Sequence, residues 1–315
     1  MKTVAVCMLT YKRPALMNRA LLSLLDQEID SATSYTIIVI DNDKEGSARG
    51  AVRRIAAACP TKVLYAVEPR LGIARARNCA LELRKGFDFV AFLDDDEFAP
   101  PTWLNSLLSV QANTQADVVC GPVVPVYSSA PQWIIRGGFF SPRIRETGSP
   151  VRFVASGNVL IEGKCASTYS FDLRFDATGG EDTHFFERLH MSGAKMVWAA
   201  EAMVYENYPA GRMNAEWIVD RARSSANRFT RAYVYLNPGT LAYVVRVMKG
   251  AGSMVCGVVM MPFGVLGKHY RIKSLMMIGR GMGTFSALRN RSHHYYSSAP
   301  IDDESAAENQ PEVRI

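Results

Sequence analysis

Phe87-Asp88-Phe89-Val90-Ala91-Phe92-Leu93-Asp94-Asp95-Asp96-Glu97 runs from an apolar, strand-like stretch straight into four carboxylates. A short apolar run bounded by polar residues is the pattern of a buried strand. Three similar runs lie upstream, at Val4 to Leu9, Tyr35 to Ile40 and Val63 to Val67. The stretches between them have helical spacing, most clearly Pro14 to Gln27, where Leu16, Met17, Ala20, Leu21, Leu24 and Leu25 share a face behind a proline suited to a first turn. Strand and helix alternating in this way predict an α/β fold, a mostly parallel sheet with helices on both faces. Ligands in such sheets bind beyond the carboxyl ends of the strands. Asp94 to Glu97 occupy one such end.

Four crowded carboxylates repel one another unless something neutralises them. Mg²⁺ or Mn²⁺ takes hard oxygen ligands of this kind, commonly one or two carboxylates with phosphate and water completing the shell. The plainer alternative is a solvated acidic turn. The Tyr35 to Ile40 strand ends in Asp41-Asn42-Asp43 and the Val4 to Leu9 strand in Thr10-Tyr11-Lys12-Arg13, so three strand ends offer polar groups on one edge. Asp41 can accept from the imide of a uracil-type base and Tyr11 can stack on it, or Asp41 can simply cap a turn.

Past Pro100 the pattern is less regular. Trp103 to Val110 reads as a helix, Val118 to Val126 as an apolar run and Ser128 to Pro150 as a Gly/Pro/Ser-rich loop; Gly179-Gly180-Glu181-Asp182 leads into a helix at Thr183 to Ser192. A carboxylate at a helix start is favoured by the N-terminal dipole. Ser156-Gly157-Asn158 is read either as an acceptor contact or as an ordinary turn, Trp133 as a packed residue and His184 as a helix-surface residue.

With 315 residues, 48% hydrophobic and 21% charged, the composition is that of a globular protein. The six cysteines form no C-x-x-C pair and have no histidine at ligand spacing, which argues against a zinc module and fits a reducing compartment. The opening MKTVAVCMLTYKRP reads as a first strand rather than a signal peptide. Charge is uneven: residues 1–211 carry 22 Lys and Arg against 23 Asp and Glu, residues 212–291 carry 13 against 2, and the tail from Ser292 carries 1 against 5. A basic block of this kind suits an anionic membrane surface, a phosphate-bearing substrate or nucleic acid.

Five phrases in order resemble family 2 glycosyltransferases: Leu9-Thr10-Tyr11-Lys12-Arg13-Pro14, Val39-Ile40-Asp41-Asn42, Leu71-Gly72-Ile73-Ala74-Arg75-Ala76-Arg77-Asn78, Phe92-Leu93-Asp94-Asp95-Asp96-Glu97 followed by Pro101 and Trp103-Leu104, and Gly180-Glu181-Asp182. The resemblance covers residues 1 to about 210 and is to bacterial members. It implies the GT-A fold, a nucleotide-sugar donor, Mg²⁺ or Mn²⁺, and inversion at the anomeric carbon. It also implies that Asp41 reads the nucleobase, that Thr10, Tyr11 and Arg13 line the nucleotide pocket, and that Arg77 and Asn78 touch the nucleotide-sugar. Asp94 would face the ribose and sugar and Asp96 the metal, with Asp95 taking the metal role if the register slides by one. Asp182 is the expected general base and Glu181 its orienting neighbour or an acceptor contact. Relatives often supply a late histidine to the metal; Val204-Tyr205-Glu206-Asn207-Tyr208 has none, which leaves Glu206 as the candidate third ligand.

The expected organisation is a catalytic domain at 1–211, with a nucleotide half to about residue 100 and an acceptor half from 101. A basic, apolar, membrane-associating extension follows at 212–291, then an acidic tail at 292–315 with the composition of a disordered segment. Gly250 to Gly267 is uncharged but contains five glycines and Pro262, so an interfacial segment fits better than a span, with a buried helix or an oligomer contact as alternatives. By analogy with exopolysaccharide and envelope-glycan enzymes, the expected donor is a UDP-sugar such as UDP-glucose and the expected acceptor a glycan or lipid-linked hydroxyl. The expected location is the cytoplasmic face of the inner membrane, with no nucleic-acid partner. A nucleotidyltransferase would favour a glycine-rich phosphate loop after the first strand, which Thr10 to Pro14 lacks. A non-catalytic nucleotide-sugar-binding membrane protein would have no need of Asp182.

Overall fold

The computed structural model describes residues 1–127 and 130–291; the acidic tail lies outside them. The first half alternates β1 (Lys2–Thr10), α1 (Pro14–Leu25), β2 (Thr33–Asp41), α2 (Arg49–Ala57), β3 (Val63–Val67), α3 (Ile73–Leu83) and β4 (Phe89–Asp94). These four strands are parallel, with Leu9 beside Asp94 and Thr10 beside Asp41, which brings the polar strand ends onto one edge. Val4 to Met8 of β1 are fully buried, as expected of a central strand covered on both faces. Alternation splits its side chains between two cores. Val4, Val6 and Met8 meet Leu21 and Leu24 of α1, and Ala5 and Cys7 meet Ala76 and Ala80 of α3.

The second half supplies β5 (Glu97–Phe98), α4 (Trp103–Thr114), β6 (Val118–Cys120), β7 (Val123–Val126), α5 (Gln132–Gly137), β8 (Asn158–Glu162), α6 (Gly163–Ala166), α7 (Glu181–Met191), β9 (Met196–Trp198) and β10 (Val204–Asn207). The main sheet has the order β3-β2-β1-β4-β8-β6-β9, in which β8 runs antiparallel to both its neighbours. A smaller sheet, β5-β10-β7, stands beside it. The apolar run Val118 to Val126, expected to be continuous, is therefore two strands in two sheets. The chain turns at Gly121-Pro122, where a Cβ on Gly121 would lie 2.1 Å from the Ala202 carbonyl oxygen.

Three long helices complete the chain: α8 (Ala215–Leu236), α9 (Thr240–Met260) and α10 (Lys268–Leu288), with a 3₁₀ stretch at Met261–Leu266 between the last two. Asn214 caps α8 through its side chain, which accepts from the Trp217 amide at 2.8 Å. Helix α10 packs along both α8 and α9, and α8 packs on α7. The basic extension packs against the preceding residues through α8 on α7 and α10 on α5.

Candidate active site

A cleft of about 650 Å³ opens above the carboxyl end of β4. Its floor is Asp94, Asp95, Asp96 and Glu97. Its walls are the start of α7, the 152–157 loop, the end of β10 and one side of α8. Strand β8 runs back against β4 and delivers Gly157 to the carboxylates. A Cβ there would sit 2.6 Å from Glu97 Oε1 and 3.0 Å from Asp94 Oδ2. Asn158, next in sequence, faces the interior: Trp103 Nε1 donates to its Oδ1 at 2.8 Å, and its Nδ2 donates to the Ala202 and Pro122 carbonyls at 2.7 and 3.0 Å. Of the Ser156-Gly157-Asn158 stretch, the first two residues line the cleft and the third clamps the scaffold.

Gly179 and Gly180, with φ of +70° and +98°, turn the chain into α7 through a backbone region that disfavours side chains. The turn places Glu181 and Asp182 in the helix's first turn, where the macrodipole attracts negative charge. Asp182 lines the cleft, and its Oδ1 accepts from the Thr183 amide at 2.6 Å. Glu181 is buried beneath it. Arg77, from α3, ties the two acidic sites together, with Nη2 3.3 Å from Asp94 Oδ1 and Nε 3.3 Å from Glu181 Oε1.

Two more guanidiniums reach the floor. Arg13 lies 3.5 Å from Asp95 and 3.8 Å from Asp96, and Arg212 lies 3.5 Å from Asp96 and 2.9 Å from Glu206. Thr10 Oγ1 donates to Asp95 Oδ2 at 2.8 Å. Glu206 and Glu97 are direct partners across the antiparallel β10–β5 pair. Like charges in that arrangement are destabilising unless compensated.

Seven carboxylates line one cleft, and their protonation reflects it. Burial and then the Asp96 charge push both Asp95 and Glu206 up to about 7. Burial and the neighbouring Asp182 push Glu181 up to about 7. Glu97 is raised well above the carboxylate range by burial, then by Asp94 and Glu206, and Asp94 is raised chiefly by burial. A site that holds carboxylates against this much electrostatic cost is suited to a multivalent cation. Among the described residues no three His, Cys, Asp or Glu side chains converge as a ready-made metal cage. The donor set therefore fits an ion held by one or two carboxylates and completed by diphosphate and water, which is the usual arrangement for Mg²⁺.

The remaining expected site residues stand elsewhere. Asp41 is fully buried, and its carboxylate accepts from Tyr65 Oη at 2.7 Å, the Ala48 amide at 2.8 Å and the Asp43 amide at 3.0 Å. These bonds anchor the β2–α2 turn and occupy both oxygens. Asn78 likewise binds the chain rather than the cleft: its side chain exchanges hydrogen bonds with the Phe171 carbonyl and amide at 2.9 and 2.7 Å. Tyr11 is half-buried, with the Lys12 ammonium 5.4 Å from its ring centroid. His184 is buried, not on the helix surface, and desolvation lowers it to about 4. Trp133 packs against Phe139, as expected. Arg143 and Arg152 line the cleft with no sequence signal to mark them, and Arg212, Arg221 and Arg228 reach it from the basic 212–291 block.

Comparison with known proteins places this geometry. The family described as glycosyl transferase family 2 matches residues 5–170, more than half of the chain. The chain is 37% identical over 221 residues to the succinoglycan biosynthesis protein ExoM of Rhizobium meliloti (strain 1021), covering 69% of this chain and 70% of that protein. Among solved structures, the mannosyltransferase PcManGT from Pyrobaculum calidifontis, in complex with GDP-Man and Mn²⁺, superposes with a TM-score of 0.63 at 16% identity, over 92% of this chain and 88% of its own. S. aureus TarS 1-349 in complex with UDP-GlcNAc gives 0.53 at 16% identity, over 93% of each chain. At these identities the structural likeness speaks for the fold, which is GT-A. With a matching family, a close curated relative and the GT-A architecture in agreement, this chain belongs to glycosyltransferase family 2.

Proposed function

We propose that the protein is an inverting glycosyltransferase that moves a sugar from a nucleotide-diphosphate sugar to a hydroxyl of a glycan or lipid-linked acceptor in polysaccharide or envelope biosynthesis. The observation that carries this reading is the meeting of Asp94 to Asp96 with Glu181-Asp182 across one cleft. Its volume suits a nucleotide-sized ligand. A UDP-sugar such as UDP-glucose is the favoured donor. The printed role of ExoM, succinoglycan biosynthesis, supports the polysaccharide assignment, and the UDP-GlcNAc bound to TarS supports a UDP donor.

Asp182 takes the proton of the acceptor hydroxyl as its oxygen attacks the anomeric carbon from the face opposite the nucleotide. The bond to the diphosphate breaks on the other side, which inverts the configuration. General-base catalysis of this kind contributes a factor on the order of 10² to 10⁴. Glu181, buried and engaged by Arg77, positions that arginine and the start of α7. Arg77 in turn holds Asp94 facing the donor. Asp96, with Glu206 across from it, would hold a Mg²⁺ or Mn²⁺ ion, which neutralises the departing diphosphate when bound. Arg13 and Arg212, already beside Asp96, are placed to share the diphosphate charge.

The extension is proposed to rest on the cytoplasmic face of the membrane. The segment Thr240–Leu266 is 27 residues long with a mean hydropathy of 1.5, and only 17% of its most apolar window is buried. It exposes Leu241, Met248, Val255, Val258 and Val259. Lying along α10 rather than standing alone, it suits shallow insertion.

A thermal-shift panel of UDP-, GDP- and dTDP-sugars with Mn²⁺ tests the donor assignment through binding linkage. The largest stabilisation is expected with a UDP-sugar, reduced in Asp96→Ala or with EDTA. A shift of equal size without metal removes the metal assignment, and no shift with any nucleotide-sugar removes the proposal.

A further inference from the structure

Phe153 stands at the rim of the cleft, and the transfer step described above leaves it without a task. It lines the cleft from the loop that ends in Gly157, and it is 47% exposed. Two contacts fix its place without covering it. Its ring meets Phe229 of α8 in a T-shaped contact, centroids 5.2 Å apart, and the Arg152 guanidinium carbon lies 5.4 Å from its centroid. Arg152 is itself tied down, because its Nε donates to the buried carboxylate of Glu187 on α7 at 3.1 and 3.2 Å. A large aromatic ring held between two helices yet left half open to a ligand cleft is a surface for recognition.

The side of the cleft says what that surface meets. Strand order puts β8, and the loop before it that carries Phe153, on the far side of β4 from β1, after which Arg13 follows. Glu187 lies on the helix whose first turn holds Asp182. On α8, the residue before Phe229 is Arg228, and a Cβ on Gly180 would lie 3.2 Å from its Cβ, so α8 touches the turn that leads into Asp182. Phe153 and Phe229 thus flank the base, whereas Arg13, Asp96 and Arg212 gather where the diphosphate is expected. The attacking hydroxyl arrives from the base's side. What reaches the aromatic pair is the part of the acceptor beyond that hydroxyl.

Chemistry narrows that part further. One face of a pyranose ring is a row of weakly positive C–H groups, which complements the negative face of an aromatic ring. The hydroxyls around its edge suit donors such as the cleft-lining Arg152 and Arg228. An alkyl chain would leave the guanidiniums unused, and a phosphate would leave the rings unused. We propose that Phe153, backed by Phe229, is a stacking platform for a second sugar ring of the acceptor, so that the enzyme recognises an oligosaccharide end and not a lone sugar. This rests on the reading of the cleft as a transferase with Asp182 as the base, and adds to it the class of acceptor.

The test follows nucleotide release by the full-length protein from UDP-glucose and a lipid-extract acceptor, with the two substrates varied separately. Beside it, saturation-transfer NMR compares glucose, cellobiose and cellotriose in the presence of UDP and Mn²⁺. Phe153→Ala, at so exposed a position, is expected to keep the fold, to raise the acceptor KM about three- to tenfold and to hold the donor KM within about twofold. Phe153→Trp should match or improve on wild type, while Phe153→Leu, apolar but without a π face, should behave like Phe153→Ala. In the NMR arm, saturation should pass more strongly to the two oligosaccharides than to glucose, and Phe153→Ala should erase that difference. If wild type transfers sugar, the acceptor KM decides: no change in Phe153→Ala, full recovery with leucine, or an equal rise in the donor KM overturns the platform. If wild type transfers none, the NMR arm decides. An oligosaccharide preference that Phe153→Ala loses then keeps the platform and removes the transferase reading, and no preference removes both.

Discussion

Arg77 is the residue on which the site's geometry turns, since one buried guanidinium holds a carboxylate from each half of the cleft. Gly157 is its counterpart on the opposite wall, where the absence of a Cβ lets Glu97 and Asp94 approach the loop. Gly157→Ala is expected to displace those carboxylates by a few tenths of an ångström or more and to cut turnover at least about tenfold, since small misplacements of reacting groups are expensive. Stability should fall by only about 1 to 3 kcal/mol, the cost of overpacking a tight site. A variant that is fully active in a donor-hydrolysis assay would show that the loop does not set the carboxylate positions. At this scale the sequence was informative where charge was contiguous. Asp94 closes a strand and Asp182 lies in the first turn of a helix, so periodicity put both near element ends, while the roles expected of them came from the family resemblance. Arg212 was not legible, because it meets Asp96 across 116 positions through a pairing that no local pattern announces. Asp41 hydrogen-bonds the turn after β2, and Asn78 ties α3 to Phe171, 93 residues along the chain.

At the level of elements, the β5–β10 pair is the least expected feature and the most consequential. It sets Glu97 opposite Glu206 and carries Arg212 in behind them. Glu206 has an ordinary value of 4.5, and in the folded protein it is pushed up to about 7, so the native state holds its proton more tightly than the unfolded chain does. The stability this contributes is complete below about pH 4.5 and is lost as the pH rises through about 7. Thermal unfolding in EDTA is therefore expected to show a Tm that falls between about pH 5 and pH 8, and Glu206→Gln should flatten the fall. A wild-type Tm that holds steady or rises over that interval contradicts the charge crowding. The early elements were legible from periodicity because β1, β2 and β4 are continuous apolar runs that are mostly buried, and the half-buried edge strand β3 is apolar throughout. The short strands β6, β7, β9 and β10, of three or four residues each, were not, because their pairing depends on distant partners.

At the scale of the whole molecule, the helical extension closes one wall of the cleft with α8 and turns the exposed face of α9 outward. Its basic charge was plain from composition, but its packing against the preceding residues was not, because helix packing is not written in a charge count. Val255→Asp/Val259→Asp places two charges on residues that are 61% and 65% exposed, so the fold should tolerate it, while sedimentation with anionic vesicles should fall severalfold. Unchanged sedimentation would move the membrane contact to another face. The central claim is that this cleft transfers a sugar with Asp182 as the base, and nucleotide release from a UDP-sugar in the presence of a lipid-extract acceptor tests it most directly. Asp182→Asn keeps the side-chain volume and removes the proton acceptor. The account predicts donor and metal binding close to wild type, with turnover lower by a factor on the order of 10² to 10⁴. Turnover within a few-fold of wild type would contradict it and leave Asp182 as no more than a residue at the start of a helix.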